Sequence, residues 1–223
     1  MKNQTKAASA QTRLLYVADP MCSWCWGFAP AIADIRAAFA DRLPVDLVMG
    51  GLRPGTSQPM DAAAKADIRN HWQHVQEASG QPFDFDFFAR EGFVYDTEPA
   101  ARAVVVLRRA GPEVALAALT RIQRAFYAEG RDVTQPEVLG ALAVELGFDA
   151  AEFRAAFDDD VAREETRNDF ALSRAIGVTG FPTLIAMHDP EGPFAVVTRG
   201  FCPGDRLIPA LERWLAEGVQ IAS

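Results

Sequence analysis

Residues 13–30, RLLYVADPMCSWCWGFAP, decide the fold. Arg13 to Ala18 is a short apolar run with aromatic and β-branched members, too short for a helix and suited to a buried strand. It leads directly into Cys22 and Cys25. Beyond them, Phe28, Ile32, Ile35 and Phe39 recur at four-, three- and four-residue spacings, the period of a helix that buries one face. The dithiol therefore sits where a strand hands over to a helix.

That position carries chemistry. A helix start has unpaired backbone N–H groups and the positive end of the macrodipole, and both favour a thiolate over a thiol. Cys22 takes the start and Cys25 lies one turn further in. This makes Cys22 the nucleophile that forms a mixed disulfide and Cys25 the resolving thiol that releases it. Two other readings compete. A zinc site wants four ligands, usually in paired clusters, yet there is no second cysteine pair and His71, His74 and His188 are scattered. An inert pair of small buried side chains is the remaining alternative.

Working outward, Pro44 to Met49 (PVDLVM) reads as a second strand, and a strand–helix–strand unit favours parallel pairing. GGLRPGTSQP, residues 50–59, is a turn-rich break. From Asp61 to about Ile176 strand signals largely vanish. Helices are expected over 61–79, ending at Gly80; from a Thr97 cap through Arg109; from Pro112 to Ala128; and from about Val161 to Ile176, closing on Gly177. Thr134 with Glu137, and Asp149 with Glu152, have the spacing of capping boxes. Thr183–Met187 and Phe194–Thr198 read as a hairpin joined by HDPEGP. A last helix, from about Arg206 to Glu217, should bury Leu207, Leu211, Trp214 and Leu215, with Pro209 tolerated in its first turn. The expected organisation is a thioredoxin-like domain in two parts, 12–56 and 161–218, around a helical insertion domain, 57–160.

Composition excludes several classes. The 223 residues are 49% hydrophobic and 23% charged, as in an ordinary globular protein. With 30 acidic and 22 basic residues the net charge is −8, so neither nucleic acid nor a membrane surface is an expected partner. Three cysteines are too few for a disulfide framework. The opening MKNQTKAASAQTR holds no apolar run of signal or membrane-span length, and a cytoplasmic location is the expectation.

The order strand, dithiol at a helix start, strand, helical insertion, then Gly180–Phe181–Pro182 before a hairpin and a final helix resembles the DsbA-like branch of the thioredoxin superfamily. DPMCSWCWGFAP, YDTEPAARAV and GVTGFPTLI are similar to its cytoplasmic, FrnE-like predicted protein-disulfide isomerases. The resemblance implies an α/β thioredoxin-like fold with an inserted all-helical domain. It also implies a cis bond before Pro182 and a Gly180–Phe181–Pro182 loop that docks protein or peptide substrates by strand-like pairing. The implied activity is thiol–disulfide exchange without a metal or organic cofactor, glutathione being a possible co-substrate. Ser–Trp stands between the cysteines where the best-known DsbA pattern has Pro–His, and dithiol proteins span about −270 to −120 mV. Whether this pair oxidises, reduces or isomerises is therefore open.

Among secondary features, Trp24 is expected to be exposed and to shape the groove, and Trp26 to pack in the core. If the last strands form a hairpin, Cys202 returns to the edge that carries Phe181–Pro182, where it is either an auxiliary thiol or a buried passive one. His71 and His74 read as a solvated helix face, and PFDFDFF (82–88) as an apolar loop anchor. Two other functions stay open: a glutathione-dependent isomerase or transferase of the kappa or hydroxychromene-carboxylate type, and a non-catalytic, redox-sensitive binding module.

Overall fold

The computed structural model describes residues 12–189 and 192–217. Most of the polar leader and part of the HDPEGP turn lie outside the described residues. β1 (Arg13–Ala18), α1 (Ser23–Phe39) and β2 (Val45–Met49) form the first unit, with β1 and β2 parallel. β3 (Thr183–Met187) runs antiparallel along the other side of β1, and β4 (Phe194–Arg199) completes a hairpin, giving the order β2-β1-β3-β4. Between β2 and β3 come α2 (Ala62–Ser79), α3 (Glu98–Arg108), α4 (Pro112–Tyr127), α5 (Pro136–Glu145), α6 (Ala150–Asp158) and α7 (Asp160–Ala175), and α8 (Gly204–Glu217) ends the described chain. This is the α/β fold with a helical insertion that the sequence pattern predicts.

α1 buries Phe28, Ile32, Ile35 and Phe39, the face its periodicity marks. Phe28 lies over Tyr16 of β1, ring centroids 5.8 Å apart, and α8 packs along α1. Pro30 inside α1 has no amide hydrogen to give the Trp26 carbonyl. The Gln81 side-chain amide donates to that carbonyl instead, at 3.1 Å.

β2 is a sheet edge, and its outer backbone groups are capped by the helices. The Met49 N–H donates to Oδ2 of Asp169 on α7 at 2.8 Å, and Arg108 of α3 donates to the Leu47 carbonyl at 2.8 Å. Arg108 and Asp169 close the arrangement with a bidentate pair, 2.6 and 3.0 Å. The helical part is thus bonded to the sheet where an open strand would otherwise invite pairing.

PFDFDFF folds as an anchor around Trp72. Rings of Phe83, Phe87, Phe88, Phe126 and Tyr127 lie 4.8–5.7 Å from the indole, which is 1% exposed. His71 and His74, either side of Trp72, are exposed.

Three local expectations need correction. Thr97 is the N-cap residue of α3 but its side chain makes no capping bond, because its hydroxyl oxygen accepts the Arg53 N–H at 3.0 Å; Asp96 accepts the Glu98 N–H, at 3.0 Å. Thr134 makes no capping box with Glu137. Its amide and hydroxyl both turn to Asp132, at 3.0 and 2.6 Å, and α5 starts later, at Pro136. α8 starts at Gly204, before Arg206, since the Pro203 carbonyl accepts the Arg206 and Leu207 amides at 3.2 and 3.4 Å; Pro209 therefore lies inside the helix. Asp149 does cap α6, accepting from Ala151 and Glu152 at 2.8 and 2.9 Å.

Candidate active site

Cys22 is the N-cap of α1, with extended backbone (φ −93°, ψ 115°) that turns the chain from strand exit into helix. Its carbonyl accepts the first helical amides, Cys25 at 3.0 Å and Trp26 at 3.1 Å. Both thiols are free. Cys22 is less open than the expected exposed helix start, at 6% exposure, while Cys25 behind it is at 0%. The loop before β3 accounts for the closure: the Cys22 thiol donates to the Phe181 carbonyl at 3.5 Å, and the Phe181–Pro182 peptide is cis. Pro182 is held in turn, its carbonyl accepting the Gly200 N–H at 2.7 Å.

The loop carrying the dithiol is held by groups distant in sequence. The Asp19 carbonyl accepts the Cys22 N–H at 3.1 Å. The Asp19 carboxylate accepts the Met21 N–H at 2.9 Å and the Leu52 N–H at 2.8 Å, joining the loop to the chain beyond β2. Tyr95, the first residue of the YDTEPAARAV run, donates its hydroxyl to the Met21 carbonyl at 2.6 Å. Gly50 completes the cradle. A Cβ there would stand 2.6 Å from Cδ1 of Phe181, and nearer still to Cε1 and Cζ, so the Phe181 ring lies flush against a backbone that only glycine leaves open.

Burial sets the electrostatics. Asp19 is fully buried, and desolvation raises its carboxyl to about 6, against the opposing hydrogen bonds from Leu52, Met21 and the Thr97 hydroxyl. Burial likewise pushes the Cys25 thiol well above the ordinary thiol range; the Cys22 sulfur adds to this, as does the charge of Asp19. The pair is chemically unequal, one sulfur at the rim and one sealed in a low-dielectric interior.

Trp24 is half-buried rather than exposed, its ring 5.7 Å from that of Phe201. That contact brings the Phe201–Cys202 segment to the border of the motif, with Cys202 half-buried. Gly180 is exposed and its carbonyl accepts the Thr183 hydroxyl at 2.8 Å. Trp26 packs inward, stacked on Tyr127 at 6.5 Å, its indole N–H donating to the Pro82 carbonyl at 3.0 Å. The structure thus groups Cys22, Cys25, Trp24, Phe181 and Pro182, and adds Asp19, Gly50 and Tyr95. Asp19 and Tyr95 each open a run that carries the resemblance, DPMCSWCWGFAP and YDTEPAARAV, whereas Gly50 has no such signal.

Residues 13–204 match the DSBA-like thioredoxin domain family. The chain belongs to that family. Its solved relatives include a candidate protein disulfide isomerase from Nitrosomonas europaea, 39% identical, TM-score 0.86, covering 94% of this chain and 100% of that one. The cytosolic disulfide reductase DsbM from Pseudomonas aeruginosa is 29% identical with TM-score 0.74, over 92% and 98% of the two chains, and a second structure holds DsbM with GSH. Among curated proteins, the ClpXP adapter protein SpxH of Halalkalibacterium halodurans is 20% identical over 201 residues, 88% of this chain and 65% of its own length. The DsbA-like chain thus spans under two thirds of that relative. Its only close cysteine pair, Cys22 and Cys25, stands at the start of α1. Among the described residues no group of His, Cys, Asp and Glu side chains is arranged to hold a metal, and no helix is long and apolar enough to cross a membrane.

Proposed function

We propose that the chain reduces or isomerises disulfides of protein or peptide substrates through Cys22 and Cys25, and that glutathione recycles the dithiol. The observation that carries this reading is the unequal pair: a rim thiol against the Phe181 carbonyl, and a sealed thiol one turn behind. Cys22 attacks one sulfur of a substrate disulfide; a Cys22–substrate bond forms and the other substrate sulfur leaves as thiolate. Cys25 then attacks Cys22, forming the Cys22–Cys25 disulfide and releasing the second substrate thiol. Two glutathione molecules restore the dithiol and leave as glutathione disulfide. The Gly180–Phe181–Pro182 loop offers backbone groups beside Cys22, a mode that accepts varied sequences, and Trp24 with Phe201 forms an apolar flank. A cytoplasmic setting favours this direction, since the glutathione pool there is reducing.

Insulin reduction and scrambled-ribonuclease refolding, each with glutathione, test the proposal. Wild type should turn over both. Cys22→Ser should abolish both activities, and Cys25→Ser should accumulate mixed disulfides at Cys22. Inactivity in both assays together with glutathione-dependent conversion of a small electrophile would replace this reading with a transferase. Inactivity in all three would point to a binding module.

A further inference from the structure

Arg53 stands apart in charge. Many arginines here are held by a carboxylate, as Arg108 is by Asp169 and Arg109 by Glu165, whereas among the described residues Arg53 forms no ion pair. Its place is nonetheless fixed. The Arg53 N–H donates to the Thr97 hydroxyl at 3.0 Å, its carbonyl accepts the Thr56 hydroxyl at 3.0 Å, and its guanidinium lies 5.2 Å from the centre of the Tyr95 ring. A cation pinned by its backbone and left without a counter-charge is prepared for an anion from outside. Arg53 lines a cleft of about 470 Å³, a volume in the range of small-ligand sites. α2 forms the facing wall with Asp67, Asn70, His71 and His74. Both walls connect to the dithiol segment. The Tyr95 hydroxyl, on the ring under Arg53, holds the Met21 carbonyl at 2.6 Å, one residue before Cys22. On the α2 side, Val75, next to His74, lies against Gly27, two residues after Cys25: a Cβ on Gly27 would stand 2.8 Å from the Val75 Cγ1.

We propose that this cleft takes a carboxylate of the small peptide thiol that recycles the dithiol, with Arg53 as the specificity-determining residue. The proposal rests on the dithiol reading above and deepens it, by naming the charge that the co-substrate must carry. The guanidinium presents a fork of N–H donors that matches a carboxylate bidentately, and Asn70, His71 and His74 add donors from α2. Asp67 supplies a carboxylate for the ammonium group that glutathione also carries. His71 and His74, one turn apart, are not arranged with it as a metal site. The reach fits the ligand. The guanidinium is 5.2 Å from the ring centre and the Tyr95 hydroxyl 2.6 Å from the Met21 carbonyl, while an extended tripeptide spans up to about 10 Å. A glutathione with its sulfur at Cys22 can therefore set a carboxylate against Arg53, and that contact orients the sulfur for exchange.

The test follows binding of S-methylglutathione, whose sulfur cannot exchange, to the reduced full chain by NMR titration. Its dimethyl ester, which keeps the ammonium and lacks both carboxylates, is the comparison. Wild type should bind the acid about five-fold more tightly than the ester, the size of an open ion pair. Arg53→Gln should bind the two alike, and Arg53→Lys should restore part of the preference. A purely structural role for Arg53 would weaken both ligands equally and leave their ratio unchanged. If Arg53→Gln does not fold, the Arg53 Nε–H signal of wild type decides: it should shift with the acid and not with the ester. A wild-type preference below about two-fold, a preference that survives Arg53→Gln, or an Nε–H signal that responds to both ligands overturns the proposal. So does equal, Arg53-dependent binding of a blocked, S-methylated Gly-Cys-Glu peptide, which would assign the cleft to acidic protein substrates. Binding of the capped ligand needs no turnover. Failure of insulin reduction with the preference intact would overturn the dithiol reading and leave the subsite standing.

Discussion

Asp19 should make the protein less stable as pH rises through the range where most carboxylates are already ionised. Its carboxyl lies at about 6 in the folded chain against 3.8 in a model peptide, so between those values the folded state binds the extra proton. Stability contributed by this group is therefore complete below about pH 4 and lost by pH 7, and the displacement is worth about 3 kcal/mol. Asp19→Asn removes the titration. It also sets an amide donor against either the Met21 or the Leu52 N–H, both of which the carboxylate satisfies at 2.9 and 2.8 Å. The figure of about 3 kcal/mol is already net of the hydrogen bonds to the ionised carboxylate, so the further loss in the variant is one bond to a neutral acceptor, about 1 kcal/mol. The variant should lie within about 1 kcal/mol of wild type near pH 4 and exceed it by about 2 kcal/mol near pH 7. Urea unfolding of the reduced proteins at both pH values measures this, and other carboxylates cancel in the comparison. An unchanged stability difference between wild type and variant at the two pH values would refute the assignment of Asp19 as a buried acid titrating near 6.

Arg108→Ala should cost about 3 kcal/mol in urea unfolding, because it strands the Asp169 carboxylate, whose side chain is only 11% exposed; a loss below about 1 kcal/mol would mean that solvent replaces the pair. Gly50→Ala should push the Phe181 ring off its seat. Overpacking of this kind costs about 1–3 kcal/mol, and insulin kcat/KM should fall about ten-fold as the loop shifts. Trp72→Ala should cost about 3–5 kcal/mol, read as a large drop in Tm. Trp24→Ala, at a half-buried position, should instead raise the substrate KM with little change in Tm.

The elements legible in the sequence are those whose signals are local. The strand over Arg13–Ala18, the helix marked by Phe28, Ile32, Ile35 and Phe39, and the hairpin after Pro182 all follow from periodicity and turn chemistry. Capping was less readable where a distant donor competes. Thr97 is claimed by Arg53, 44 residues away, which no local pattern announces. The same holds at the site. Cys22, Cys25 and Pro182 stand out by residue type, whereas Tyr95 reaches the Met21 carbonyl across 74 residues, and Gly50 matters only because Phe181 folds against it. Cys22 is also less exposed than its helix-start position suggests, since the shielding carbonyl arrives from 159 residues away.

The capping of β2 has a consequence in time. Met49 and its partner Asp169 are 120 residues apart, which at about 5–20 residues per second means roughly 6–24 s of synthesis. Through that interval the nascent β1–β2 pair carries a bare flank, because Asp169 has yet to be made and β3 comes later still. A growing chain of this protein is therefore most open to mispairing with its neighbours on the same messenger, and most in need of a chaperone, before α7 leaves the ribosome.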